Sequence, residues 1–137
     1  MGPVTVAYPA VAAYRHTTLT GDAFDALADL RRHGERFELV IVDPPAFAKR
    51  EDEVAGALQS YGRLTELALG VLASGGTLVL ASCSSRVSGP DFLATVHRAA
   101  AQAGRPLAEI DRIGHAIDHA IRFPEGAYLK CLFAIAP

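Results

Sequence analysis

The chain has 137 residues, a formal net charge of -2 and 50% hydrophobic residues. This length predicts one domain spanning residues 1–137, and the composition excludes the strongly basic class of nucleic-acid-binding proteins. Two cysteines, Cys83 and Cys131, without a CxxC pair argue against a disulfide framework and a zinc site, and they favour the reducing cytoplasm. No stretch approaches the roughly 20 apolar residues that cross a membrane, and residues 4–13 lack the basic leader of a signal peptide.

Residues 1–20 carry the weakest structural signal of the chain. Pro3 and Pro9 interrupt them, and short strands are all that they could form. Residues 23–33 follow, in which apolar side chains recur at helical spacing, namely Phe24, Leu27 and Leu30. Asp22 is the expected N-cap of this helix, and Gly34 is the glycine expected to end it.

Phe37–Val42 is the strongest strand signal. Five of its six residues are apolar and do not alternate with polar ones, so we expect a strand covered on both faces within a parallel sheet. Asp43-Pro44-Pro45 then ends the strand, because proline cannot donate to the hydrogen-bond ladder. Asp43 is therefore expected at the carboxyl end of a strand, where open α/β sheets bind their ligands.

Residues 53–73 carry an apolar stripe every three or four positions, which predicts a long helix ended by Ser74-Gly75-Gly76. Residues 77–81 form a second continuous apolar strand. A strand, helix, strand crossover makes the two strands parallel. Their carboxyl ends, Asp43 and Ser82-Cys83-Ser84, are therefore expected to open on the same edge of the sheet.

The remaining third predicts a helix over residues 92–103 and two strands, residues 107–113 and 128–135. The loop between these strands, residues 114–127, carries several polar side chains, namely His115, Asp118, His119, Arg122 and Glu125. Cys131 lies inside an apolar strand and is expected in the core. Asp118 and His119 are adjacent and resemble a catalytic Asp-His dyad. A histidine in a surface loop is nevertheless more often structural or solvated than catalytic.

The order GDAF, helix, FELVIVDPPAFAKR, long helix, GGTLVLASCSSRVS, helix, strand, D-H loop and YLKCLF resembles the C-terminal part of class I S-adenosylmethionine-dependent methyltransferases. Within that family it is most similar to the bacterial large-subunit ribosomal RNA cytosine-5 methyltransferases, over residues 21–133. The resemblance implies a Rossmann-like, three-layer α/β fold with a mainly parallel sheet and an antiparallel C-terminal strand. It also implies S-adenosyl-L-methionine as cofactor, RNA as substrate, and no metal.

The resemblance implies roles for individual residues. Because carbon-5 of cytosine is not nucleophilic, Cys83 would attack carbon-6, while Asp43 would hold the base through its amino group. The implied cofactor-binding residues are Asp22, Ala23, Asp43 and Pro44, and the implied substrate-binding residues are Pro45, Phe47 and Lys49.

The chain also departs from the family pattern. No glycine-rich GxG loop lies upstream of Gly21, and the acidic residue that would hold the cofactor's ribose is missing with it. We therefore expect an incomplete fold and cofactor pocket, lacking the first strands of the sheet and leaving Phe37–Val42 as an apolar edge. Residues 1–19 are expected to cover that edge, unless two chains pair there as a homodimer or associate through it.

Other interpretations remain open on the sequence alone. The DPP motif followed by an aromatic residue also suits methylation of an exocyclic amino group. A degenerate domain that serves as a partner subunit is a non-enzymatic alternative. Cys83 could be a packing residue, and the Asp43 carboxylate could simply accept hydrogen bonds from nearby loop N–H groups.

Overall fold

The computed structural model describes residues 16–137, and only the side chain of Glu125 is left out within that range. The prediction that residues 1–19 cover the sheet edge lies largely outside the described residues. In chain order, the elements are α1 (Ala23–Arg32), β1 (Phe37–Val42), α2 (Val54–Val71), β2 (Leu72–Ser82), α3 (Gly89–Gln102), β3 (Ala108–Ile113) and β4 (Lys130–Ile135), with short 3-10 turns at Glu51–Glu53 and Pro124–Gly126. Among these helices, none is long and apolar enough to span a bilayer.

The four described strands form one sheet in the order β1-β2-β4-β3. β1 and β2 are parallel, as the crossover predicts, with Val42 opposite Leu80. β4 runs antiparallel to both β2 and β3, so three strands share one direction and the C-terminal strand is reversed. The α/β fold class and the antiparallel C-terminal strand are thus confirmed.

Side-chain hydrogen bonds cap the N-termini of the first and third helices. The Asp22 carboxylate accepts from the N–H groups of Phe24 and Asp25, at 2.9 and 3.1 Å, which confirms it as the N-cap of α1. Ser88 caps α3 by accepting from the Asp91 N–H at 3.1 Å. Because of this cap, α3 begins at Gly89, three residues before the predicted start.

The boundary between α2 and β2 differs from the prediction. The helix ends at Val71, and Leu72 is already extended, with φ of -85° and ψ of 128°. The Arg105 guanidinium donates to the carbonyls of Leu69 and Leu72, both at 2.6 Å, and to that of Ala73 at 2.9 Å. A side chain far along the sequence therefore satisfies the carbonyls at the helix end, which glycines alone were expected to terminate.

All three helices lie on one face of the sheet. Strand residues on this face pack into the core with them, namely Val40, Val42, Leu78, Leu80, Leu132 and Ala134. The opposite face, here called the open face, carries Leu39, Ile41, Cys131, Phe133 and Ile135, as the strand register places them in neighbouring rows.

The open face corrects one prediction. Among residues 16–137, β1 pairs with β2 alone, and Leu39 and Ile41 are 54% and 64% exposed. The expectation of a strand covered on both faces is therefore wrong for residues 16–137, which supply one helical layer. A continuous apolar run indicates that both faces of the strand can be buried. The described helices cover only one of these faces.

Candidate active site

An open groove of about 490 Å³ lies at the carboxyl end of β1. The start of α1 forms one wall, and the residues that follow β1 form the other. Six positions that the sequence analysis assigned to cofactor or substrate line this groove, namely Asp22, Ala23, Asp43, Pro44, Pro45 and Phe47. Apolar side chains such as Phe24 and Leu27 complete the walls, so the groove suits a flat, largely apolar ring.

The Asp43 side chain is exposed at the rim of this groove. No residue between 16 and 137 makes a hydrogen bond or ion pair with its carboxylate. The alternative in which Asp43 accepts from nearby loop N–H groups is therefore not observed. The carboxylate is available to an external donor, such as the amino group of a base.

Cys83 follows β2 and is half-buried. Its Sγ lies 3.9 Å from the carbonyl oxygen of Pro44, the residue that follows Asp43. The prediction that the two strand ends open on one edge is thus confirmed. Pro44 lines the groove whereas Cys83 does not, so the Pro44 backbone separates the groove from the thiol.

Strand alternation explains which side chains are available at this edge. In the register of β1 and β2, odd-numbered residues point to the open face and even-numbered ones to the helices. Asp43 and Cys83 continue the odd rows, whereas Ser82 and Ser84 are buried on the helical side. The two buried hydroxyls therefore belong to the support of this edge, at which the Asp43 residue is exposed and Cys83 is half-buried.

Ser84 fastens the loop after β1 to the loop after β2. Its Oγ accepts from the N–H groups of Phe47 and Ala48, at 3.1 and 3.4 Å. The fully buried Tyr61 hydroxyl lies 2.7 Å from Ser82 Oγ and 3.2 Å from Ser84 Oγ. A tyrosine from α2 thus sets the spacing between the loop that carries Pro44 and the loop that carries Cys83.

Lys130 holds the same loop from the side of β4. Its Nζ donates to the carbonyls of Ser84, Val87 and Tyr128, at 2.6, 2.7 and 3.0 Å. Burial lowers the pKa of Lys130, and the thiolate form of Cys83 opposes that shift through its charge. The lysine is therefore a cation that both orders the loop and lies within electrostatic reach of the thiol.

Phe47 and Lys49 occupy different positions in this site. The Phe47 ring lines the groove but packs edge-on against Tyr61, with ring centroids 5.0 Å apart. Lys49 is exposed and lies outside the groove lining. Glu53 accepts from the N–H groups of Lys49 and Arg50, at 2.7 and 3.0 Å, and these bonds lower the pKa of Glu53.

Cys131 corrects another expectation. It is half-buried on the open face rather than sealed in the core. Its row in the sheet continues through Ala81 toward Asp43. Burial and the Asp43 charge, in that order, raise the pKa of the Cys131 thiol.

The polar loop between β3 and β4 is ordered by its own rings. The imidazoles of His115 and His119 stack with centroids 4.1 Å apart, and Tyr128 packs edge-on against His115 at 4.6 Å. His115 Nε2 accepts from the Leu129 N–H at 3.2 Å. These contacts fit the structural interpretation of the histidines, and no cluster of three metal-ligating side chains occurs in the part of the chain that the structure describes.

Comparison with known proteins identifies relatives of this arrangement, although no family model matches the chain. The chain is 42% identical over 118 residues to a ribosomal RNA large subunit methyltransferase of Deinococcus radiodurans, covering 86% of the chain and 29% of that protein. It is 38% identical over 118 residues to a ribosomal RNA large subunit methyltransferase I of Vibrio vulnificus, covering 85% of the chain and 30% of that protein. Over most of its length, the chain is a homologue of ribosomal RNA large subunit methyltransferases.

Solved structures agree on the fold of this methyltransferase homologue. SMU.776 in complex with SAH superposes with a TM-score of 0.70 at 21% identity, covering 84% of this chain and 30% of that one. M1.HpyAVI in complex with SAM gives a TM-score of 0.51 at 20% identity, covering 85% and 50%. The fold is therefore methyltransferase-like and Rossmann-like, and the chain spans about 30% of the length of the relatives it matches in sequence.

The residues that support the edge were missed by the sequence analysis of the methyltransferase homologue. Tyr61 falls within the apolar stripe of residues 53–73, and Ser84 and Lys130 lie within the motifs GGTLVLASCSSRVS and YLKCLF, where no pattern predicts a separate role for them. The available signal was a hydroxyl or an ammonium group inside an otherwise apolar element, since such groups need partners when buried.

Tyr61→Phe tests this support directly. Removing the hydroxyl leaves Ser82 and Ser84 short of a buried partner, so we expect the free energy of unfolding to fall by about 1–3 kcal/mol. Urea denaturation followed by circular dichroism measures the loss. Tyr128→Phe is the matched control, because Tyr128 is 36% exposed and its substitution should change stability by less than about 0.5 kcal/mol. Equal effects of the two substitutions would contradict the proposed role of the Tyr61 hydroxyl.

Proposed function

We propose that this chain carries the nucleophilic and base-binding part of an S-adenosylmethionine-dependent ribosomal RNA methyltransferase that acts on carbon-5 of cytosine. The observation that carries the proposal is the meeting of Cys83 Sγ with the Pro44 carbonyl, at 3.9 Å, beside an exposed Asp43 carboxylate. The homology to ribosomal RNA methyltransferases supplies the substrate class. Such a substrate implies a cytoplasmic location, in line with the cysteine usage.

The chemistry proposed for these residues accounts for each bond. The Cys83 thiolate forms a bond to carbon-6 of cytosine, which makes carbon-5 electron-rich enough to take a methyl group. S-adenosylmethionine, when bound, would supply this methyl group to carbon-5 and would leave as S-adenosylhomocysteine. The proton at carbon-5 then passes to solvent, the bond between sulfur and carbon-6 breaks, and the thiolate and the aromatic base are restored. Throughout, the Asp43 carboxylate accepts from the amino group of the base.

The groove beside Pro44 fits part of the cofactor. Asp22 and Ala23 lie at one end and Asp43 and Pro44 at the other, with apolar walls between them. Asp22 Oδ1 is occupied by the N–H groups of α1, so its contribution to a ligand is limited to its other oxygen. No described strand pairs with the outer edge of β1, so the part of the pocket that residues 16–137 form is open on that side.

The open face favours a second candidate function. Leu39 and Ile41 are exposed, and no strand within residues 16–137 pairs with the outer edge of β1. Such a sheet is suited to association, so the chain could act as a partner subunit without activity of its own. We propose that the chain associates through this edge, with a second copy as the occupant. Methylation of an amino group is the remaining enzymatic alternative, and it differs in needing no thiol.

Calorimetry with S-adenosylhomocysteine on the 137-residue chain separates the enzyme from the partner subunit. We expect saturable heat from the wild-type chain, and its loss in Ala23→Trp, because a bulky ring at this position fills the groove. Ala101→Trp is the matched control, since Ala101 is an exposed alanine of α3 that lies outside the groove. Absence of heat from the wild-type chain would show that residues 1–137 do not hold the cofactor on their own, and it would favour the partner subunit.

A further inference from the structure

A second groove, of about 820 Å³, lies on the outer side of the helical layer. It runs between α2 and α3 and reaches the C-terminal end of α1. Its lining includes four arginines, namely Arg31, Arg63, Arg98 and Arg105, and one carboxylate, that of Glu66. The helix faces that build it are those turned away from the sheet, because the opposite faces of α2 and α3 form the core.

The charge of this groove is opposite to that of the chain. Four arginines and one glutamate give a local charge of +3, against a net charge of -2 for all 137 residues. Within residues 16–137, the ion pairs of arginine involve Arg32, Arg50 and Arg112 and none of the four in the groove. The groove therefore concentrates cationic groups that no carboxylate neutralises by direct contact.

Gly70 lets the Arg31 side chain approach the backbone of α2. Gly62 and Gly70 lie inside α2, where glycine costs about 1 kcal/mol relative to alanine. A Cβ atom at Gly70 would lie only 2.7 Å from Cδ of Arg31. The glycine therefore allows an arginine of α1 to lie across α2 and enter the groove.

The four arginines do not play the same part. Arg105 donates to four backbone carbonyls, so it is held as a structural group at the rim. Its pKa is lowered by burial and by the neighbouring Arg36 charge, which reflects how cationic this end is. Arg98 donates to Thr95 Oγ1 at 3.3 Å, whereas the side chains of Arg31 and Arg63 make no hydrogen bond or ion pair among the described residues.

We propose that this groove binds the phosphodiester backbone of RNA, outside the site of Asp43 and Cys83. Guanidinium groups match phosphate oxygens in geometry and charge, and contacts to phosphate hold a substrate without reading its sequence. A docked peptide helix would need a row of apolar anchors, but this lining is mainly arginine, glutamine and small residues. The groove begins at Ala55 and Gln59, in the first turns of α2, and the acidic turn Glu51–Glu53 lies between it and the rim of the Asp43 site.

The inference rests on the proposed RNA substrate and is independent of the cofactor and of the thiol. Fluorescence anisotropy of a labelled single-stranded RNA oligonucleotide, titrated with the 137-residue chain at low salt, measures the binding. Arg63→Gln combined with Arg98→Gln should raise the dissociation constant at least about 10-fold and reduce the slope of log K against log salt by about one to two.

The matched control removes the same charge elsewhere. Arg32→Gln combined with Arg112→Gln changes the net charge equally but leaves the groove intact, and we expect less than about a twofold effect. Circular dichroism verifies that both double variants are folded. Equal weakening of RNA binding by the two double variants, or no weakening by either, would overturn the groove as an RNA site. The same holds if polyglutamate displaces the labelled RNA as well as unlabelled RNA does. The binding is measured without S-adenosylmethionine and needs no methyl transfer, so failure of the nucleophile proposal leaves this one distinguishable.

Discussion

Cys83→Ala is expected to lower methyl transfer to large-subunit ribosomal RNA by at least about 1000-fold, because carbon-5 of cytosine is not nucleophilic until a thiolate adds to carbon-6. The measurement is incorporation of a labelled methyl group from S-adenosylmethionine into the RNA, with the substitution made in the polypeptide that carries out the transfer. Cys131→Ala is the matched control. Its thiol is also half-buried, but it lies on the open face of β4 and lacks the contact with the Pro44 carbonyl that Cys83 makes.

A trapping experiment separates the nucleophile from a merely structural cysteine. RNA with 5-fluorocytosine at the target position cannot lose a proton from carbon-5, so the bond between Cys83 and carbon-6 should persist and give a denaturant-stable complex. We expect this complex with the wild-type chain and with Cys131→Ala, but not with Cys83→Ala. Undiminished transfer by Cys83→Ala would instead favour methylation of an exocyclic amino group and would refute the thiol mechanism.

Ile41→Lys is expected to abolish self-association of the 137-residue chain. Leu39 and Ile41 are 54% and 64% exposed, beside a strand edge that no other described strand pairs with, and proteins normally protect such edges. Burying one such side chain contributes about 1.5–3 kcal/mol, and a symmetric dimer contains it twice. The dissociation constant of the dimer should therefore rise at least about 100-fold, as measured by analytical ultracentrifugation.

The control for this substitution is Ile117→Lys. Ile117 is another exposed isoleucine, in the loop between β3 and β4 and away from the edge of β1, so its replacement should leave association unchanged. Hydrogen exchange adds a second measurement. A wild-type chain that remains monomeric while the amides of residues 39–42 exchange rapidly would exclude pairing at this edge, and it would equally exclude coverage by residues 1–19.

Much of the fold was predictable because its causes are local. Asp22 caps α1 through N–H groups two and three residues away, and Gly34, with φ of 76°, follows the same helix. The parallel pairing of β1 and β2 follows from the length and period of the helix between them. Such features depend on neighbours in the chain, so composition and spacing reveal them.

The candidate site was predictable in position but not in construction. Two apolar strands, each ended by polar residues, were enough to bring Asp43 and Cys83 to one edge. The contacts that set their spacing join Tyr61 to Ser84 and Lys130 to Val87, across 23 and 43 residues. No periodicity encodes these partners, because each forms only when the sheet has brought distant segments together.

The amino-acid sequence by itself determined the elements, their order, the parallel crossover and the homology to a methyl-transfer enzyme, since all of these arise from local hydrogen bonding and from the repeat of apolar residues. Only the tertiary structure decided that β1 is an exposed edge, that Cys131 faces outward and that four arginines line one groove. These properties depend on which surfaces the described residues bury against one another. An apolar run indicates that a strand can be buried, and only the packing of the folded chain decides which of its faces is buried.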